Sequence, residues 1–377
     1  MVRRYVRSDA LAPRWFGRIA VATAIVASAT AFIQSAGSAA HPLAASASAA
    51  GYSVGITRCT FVDPTRTVPD FATTPPSILS NRRVLVTEIR YPTNDPHSAT
   101  TENVGAAPAS QPGGFPMIVF AHGYDVMPDT YAALLDAWVE KGFVVAAPIF
   151  PDENPAEVSR QHNANTEIDM WNEPADLAFV TRQILKDSAA LSSGCPLVHQ
   201  LVRASALALA GHSDGGTVVG MLTNSTGRDP QGVPFRDLRA GLAYRAAIIM
   251  SAQEDEVSPY RASPTSPALL VVQSAADQCN PAVRAVRLYR DVHQSDKWFL
   301  ELLTAHHLPP YDGTDVRAFD MVVGVSTRFL HMTLEGTSTP SSILAFGNLE
   351  PSTARTFHAG QGPIIPALTT APHCGLR

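Results

Sequence analysis

Short apolar runs alternate with segments of helical spacing along most of this chain. The runs fall at residues 117–121, 143–147, 206–210, 246–250, 269–272 and 298–303. Most are apolar at nearly every position rather than at every second one. Such runs need cover on both faces, which points to buried parallel strands. Between and after them, residues 130–141, 172–185, 216–222, 281–292 and 316–334 carry helical periodicity. Parallel strands need long crossover connections, and helices supply them. The pattern predicts an α/β fold, with a mostly parallel central sheet flanked by helices on both faces. Residues 84–91 alternate like a half-buried strand. Residues 92–114 and 151–171 read as loops, with Met170 and Trp171 as packing contacts or a pocket wall. Residues 335–377, rich in Pro, Gly, Ser and Thr, are expected to wrap the surface. No internal repeat is visible, and residues 53–377 are expected to form one domain.

Composition narrows the class of molecule. Of 377 residues, 45% are hydrophobic and only 16% charged, enough for a large core and too apolar for wholesale disorder. Net charge is −5. A nucleic-acid binder would show a Lys/Arg stripe, and no basic run lies beyond the first twenty residues. Those first residues look like an address. Arg3, Arg4, Arg7, Arg14 and Arg18 precede an apolar stretch at 19–33, and small residues follow at 35–40. This reads as a secretory signal over residues 1–40, cut after Ala40, with Ala50 as the alternative. The Arg3-Arg4 pair hints at twin-arginine export. An uncleaved anchor is the rival reading, but the stretch is short of the ~20 residues that span a bilayer. Residues 41–52 are expected to be a flexible Ala/Ser-rich segment. The mature chain is thus expected to be secreted or associated with the cell envelope, without a membrane span. Cys59, Cys195, Cys279 and Cys374 then predict two disulfides, with all three pairings open.

The most informative segment is Ala210-Gly211-His212-Ser213-Asp214-Gly215-Gly216. It is Gly-x-Ser-x-Gly, placed where an apolar strand meets a helix. A serine on such a sharp turn stands clear of the sheet, with the helix N-terminus aimed at any oxyanion that forms beside it. The turn needs glycine at its flanks because the neighbouring backbones press close. Serine alone is a weak nucleophile and needs a base and an acid that orients the base. Asp277 follows the run 269–272, and His306 and His307 follow the run 298–303. Of the pair we take His307 as the base and leave His306 beside it. Glu254, Asp255 and Glu256 form a rival acid cluster one strand earlier, but Asp277, followed by Pro281 opening a helix, fits the pattern better. His122-Gly123-Tyr124-Asp125 follows the run 117–121. The backbone amides of Tyr124 and Asp214 are the expected oxyanion donors, with His122 holding the loop.

Together these residues resemble an α/β-hydrolase. The resemblance spans roughly residues 53–335. It is nearest to a group of dienelactone-hydrolase-like esterases, platelet-activating-factor-acetylhydrolase-like enzymes and bacterial polyester hydrolases. Phe61-Val62-Asp63-Pro64-Thr65-Arg66 is similar to the opening strands of that group, and Pro174-Ala175-Asp176 resembles one of its helix starts. The resemblance implies Ser213 as nucleophile, His307 as general base and acid, and Asp277 as its orienter, all in one catalytic domain. Two departures stand out. Charges follow Ser251-Ala252-Gln253 where polyester hydrolases carry an aromatic residue, and His212-Ser213-Asp214 replaces their His-Ser-Met.

The expected activity is serine hydrolysis of small-molecule or lipid-like carboxylic esters through an acyl-enzyme, with no metal or organic cofactor. A peptidase or thioesterase on the same residues is an alternative, since the pocket alone separates them. A non-catalytic binding protein with the same fold is a third reading, against which stands the presence of all three candidate residues. No acyl specificity or oligomeric state is implied.

Overall fold

A computed structural model describes residues 51–95, 103–162, 164–190, 194–253, 260–263 and 265–362. The expected signal segment, the acidic cluster at 254–256 and Cys374 lie outside the described residues. Strand β1 (Ser53–Asp63) opens the chain, followed by a short hairpin of β2 (Val68–Asp70) and β3 (Ser77–Ser80). Then come β4 (Arg83–Thr93), β5 (Asn103–Val104) and β6 (Phe115–Ala121). Helix α1 (Ala132–Val139) leads to β7 (Val144–Pro148), α2 (Pro155–Gln161) and α3 (Glu173–Ala189). The central unit is β8 (Val202–His212) into α4 (Asp214–Asn224). After α5 (Phe235–Leu238) come β9 (Tyr244–Met250), β10 (Ala268–Ser274), α6 (Ala282–Asp291) and β11 (Lys297–Leu302). The last elements are α7 (Pro309–Asp312), α8 (Val316–Leu330), α9 (Pro340–Gly347) and β12 (Ala354–His358).

Ten of the strands form one sheet in the order β12-β11-β10-β9-β8-β6-β7-β4-β1-β5. The pairs from β11 through β6 to β7 are parallel, β12 joins β11, β4 joins β7 and β1 joins β4 antiparallel, and the short β5 pairs parallel with β1. The apolar runs follow from this arrangement. In β6, Met117, Val119 and Ala121 face one core, while Ile118 and Phe120 face the other. The first core is closed by Leu177, Val180 and Ile184 of α3 and by Val218 and Leu222 of α4. The second is closed by Leu135 and Trp138 of α1 and by Val322, Val325 and Phe329 of α8. Fully burying one such side chain stabilises by about 1.5–3 kcal/mol. Trp138 Nε1–H also donates to Ser326 Oγ at 2.9 Å, which pins α1 to α8.

Two segments expected to be irregular are partly helical. Within residues 151–171, α2 is capped by Asn154, whose side chain accepts the Glu157 amide at 3.2 Å, with Pro155 at the first helical position. A 3₁₀ turn then spans Ala164–Trp171. In the C-terminal stretch, Thr339 and Ser342 form a reciprocal capping box over Pro340 and start α9. Strand β12 follows and pairs along β11. Both prolines lie where a helix lacks a use for its amide, so here they start helices instead of breaking them. Cys59 and Cys195 form a disulfide that joins β1 to the segment before β8. Cys279 is also disulfide-bonded.

Candidate active site

Ser213 follows β8 directly and caps α4 with φ 56° and ψ −124°, a conformation that L-residues avoid. The strain is held from both sides. A Cβ on Gly211 would lie 2.2 Å from Gly215 O, and one on Gly215 would lie 2.2 Å from Ala121 O. No side chain fits at either place, so β8, α4 and the end of β6 close up tightly around the serine. The Ser213 amide donates to Met250 O at 2.9 Å, which ties the turn to β9. The serine itself is half-exposed.

The loops after β10 and β11 bring the other two candidates together. His307 Nδ1 lies 3.0 and 2.9 Å from the two carboxylate oxygens of Asp277. That carboxylate has no exposed surface and is fed further. Its Oδ1 accepts the amides of Cys279 (2.8 Å) and Asn280 (2.9 Å), and its Oδ2 accepts Gln273 Nε2–H (3.1 Å). Four donors fix one orientation of the acid, and the acid fixes Nδ1–H on the imidazole, leaving Nε2 as the basic nitrogen. His306 is exposed. Ser213 Oγ and His307 Nε2 make no hydrogen bond with each other. His212, the residue before Ser213, places its ring 4.5 Å from that of His307. Catalytic hydrogen bonds often tighten only when substrate binds.

His212 is the residue whose part the sequence reading missed. Its Nε2–H donates to the backbone carbonyl of His307 at 3.0 Å, and its Nδ1 accepts from Tyr131 OH at 2.9 Å. Tyr131 OH in turn accepts the Gly123 amide at 3.2 Å. One continuous chain of hydrogen bonds therefore joins the loop after β6, the serine turn and the loop after β11. Burial first, and then the neighbouring His307, hold His212 well below its ordinary pKa, so it stays neutral as this chain requires. In sequence, the signal was only the variable position of a Gly-x-Ser-x-Gly and a tyrosine eight residues past a glycine.

The loop after β6 presses on the serine: a Cβ on Gly123 would lie 3.1 Å from Ser213 Cβ. The amides of Tyr124 and Asp214 make no hydrogen bond among the described residues. Tyr124 OH pairs with Thr166 Oγ1 at 2.8 Å, tying this loop to the Ala164–Trp171 turn. Burial, then Glu167, pushes the Asp214 carboxyl up to about 7. Asp277, Cys279 and His307 place donor atoms within 4.8 Å of one another, but Cys279 has spent its sulfur in a disulfide and the other two bind each other. That leaves no open metal site there.

His122 is fully buried. Its Nε2 accepts the Phe150 amide at 3.0 Å, and its Nδ1–H donates to Gly123 O at 2.8 Å. Burial lowers its pKa to about 4. The unfolded chain binds this proton near pH 6.5, so stability falls as pH drops from about 6.5 to about 4. The full effect is about 3 kcal/mol. His122→Gln should therefore show a flatter fall in thermal midpoint over that window, measured by circular dichroism. A slope equal to the wild type would contradict the burial argument.

Residues 78–228 match the sequence model of the chlorophyllase family. No curated protein sequence matches the chain significantly. Many solved structures are similar, among them a ferulic acid esterase from Streptomyces cinnamoneus. That likeness has a TM-score of 0.53 at 17% identity and covers 77% of this chain and 92% of the esterase. The mostly parallel sheet with its crossover helices is the α/β-hydrolase fold. The chain has the α/β-hydrolase fold, and over residues 78–228 it is similar to the chlorophyllases, a family of carboxylic ester hydrolases.

Proposed function

We propose that the chain hydrolyses carboxylic esters through an acyl-enzyme on Ser213, with His307 as base and Asp277 as the acid that orients it. The observation that carries this reading is the His307–Asp277 contact set beside a strained, glycine-walled serine. His307 Nε2 takes the hydroxyl proton as Oγ attacks the ester carbonyl. The Tyr124 and Asp214 amides receive the oxyanion. His307 then protonates the departing alcohol, and the same nitrogen activates the water that frees the acid. No step calls for a metal or an organic cofactor. Export is part of the proposal: an Arg-rich start, an apolar stretch and a Cys59–Cys195 disulfide support an oxidising compartment.

A panel of p-nitrophenyl esters, a ferulic acid ester, chlorophyll, a thioester and a peptide anilide tests the reaction class. Esters should turn over well above the anilide. Amide turnover at ester-like rates would favour the peptidase reading instead. The network through His212 adds a prediction. Tyr131→Phe leaves the Gly123 amide and His212 Nδ1 unpaired in a buried place, which costs about 1–3 kcal/mol. Initial rates should show kcat reduced about tenfold with KM little changed. An unchanged kcat would mean that the loop holds its position without the tyrosine.

A further inference from the structure

Strand β9 ends beside the serine turn, and the residue just past its end has no part in the chemistry above. Ser251 is completely buried and has φ 45°, in the left-handed region that serine seldom enters. Such backbone strain persists only where the surroundings over-determine it. Here each polar group of the residue is bonded.

Those bonds lead to different places. The amide donates to Val272 O on β10 at 2.8 Å. The carbonyl accepts Asn280 Nδ2–H at 2.7 Å, and the amide of the same asparagine donates to Asp277 Oδ1 at 2.9 Å. The hydroxyl shares a 2.9 Å hydrogen bond with Tyr311 OH. Tyr311 is equally buried, its amide donates to Leu308 O at 2.9 Å, and its ring lies 4.6 Å from that of His212. Leu308 is the residue after His307. One residue back, Met250 gives its carbonyl to the Ser213 amide at 2.9 Å. Met250 and Ser251 together therefore touch the serine turn, the acid loop and the segment that leaves the base.

We propose that Ser251 is a positioning residue for the three catalytic groups, acting through Asn280 on Asp277 and through Tyr311 on His307. This rests on the ester-hydrolase reading of Ser213, His307 and Asp277. In its left-handed conformation the carbonyl of one residue meets the loop after β10 while its hydroxyl meets α7. The path is separate from the one through Tyr131, which reaches His307 by the ring nitrogens of His212. Placement of this kind matters to rate, since a misplacement of about 1 Å can cost about a hundredfold.

Ser251→Gly isolates the hydroxyl. Glycine adopts φ 45° without strain, so the fold is kept while Tyr311 loses its partner. Tyr311→Phe removes the other half of the same bond. On p-nitrophenyl acetate each variant should lower kcat about tenfold with KM little changed. The double variant should be no slower than the slower single, because both act through one bond. In proton NMR, the downfield resonance of the His307 Nδ1–H that faces Asp277 should shift or broaden in each. Tyr289→Phe is the control: it removes another buried hydroxyl bond, to Ala359 O at 2.8 Å, and should keep the wild-type kcat and resonance. An unchanged kcat or an unchanged resonance in Ser251→Gly overturns the proposal. So does a double variant slowed by the product of the single effects, or a Tyr289→Phe that loses as much kcat. A wild type whose Ser213 does not react with a fluorophosphonate overturns the ester-hydrolase reading and this inference with it. A reactive Ser213 alongside a fully active Ser251→Gly overturns the positioning role alone.

Discussion

Replacing Ser213 with alanine is expected to lower kcat/KM for p-nitrophenyl acetate by about a million-fold and to leave the fold standing. The two halves of this expectation have separate causes. The rate falls because the acyl-enzyme route disappears, and only binding and the oxyanion amides remain to help water attack. The fold survives because the serine oxygen makes no hydrogen bond among the described residues. Alanine keeps the backbone hydrogen bond to Met250 O and suffers the same backbone strain as serine. Steady-state rates on protein purified from contaminating esterases, together with a melting curve, check both halves. A loss below about a hundredfold would show that another group attacks the ester.

The second large effect concerns packing. Gly215→Ala would place a methyl group 2.2 Å from Ala121 O, 2.4 Å from His122 O and 2.5 Å from Ala121 C. These are backbone atoms of a central strand and its exit, so no rotamer change relieves the clash. Core overpacking against flexible side chains costs about 1–3 kcal/mol. Here α4 would have to lift off β6, and we expect more than about 4 kcal/mol, with little folded protein at 37 °C. Gly211→Ala should behave alike, since its methyl group would lie 2.2 Å from Gly215 O. Gly194→Ala, with nothing within 4 Å of the added atom, is the neutral control. Denaturant melts that rank Gly215→Ala level with Gly194→Ala would contradict the account of the turn.

What the sequence reveals divides by the range of the physics involved. Strands β6, β7, β8, β9 and β10 are legible because burial on both faces leaves its mark on every residue in turn. The serine turn is legible because its glycines stand at fixed spacing around the serine at a strand-to-helix junction, although the contact that requires Gly215 is with Ala121, far off in sequence. Asp277 and His307 are reachable as residues just past strand ends in the right chain order, and the structure brings them within 2.9 Å. Helices α2 and α9 are less legible, since Asn154-Pro155 and Thr339-Pro340 resemble turn signals until the cap geometry is seen. The Tyr131–His212–His307 chain is hidden for another reason: it joins residues far apart in sequence through side chains that carry no local pattern.

The most direct test of the central claim is covalent. The chain is treated with a fluorophosphonate at neutral pH, digested and sequenced by mass spectrometry. The account predicts one adduct per chain, on Ser213, with labelling slowed by orders of magnitude in His307→Ala. An unlabelled Ser213, or a His307→Ala variant that labels as fast as the wild type, would contradict it.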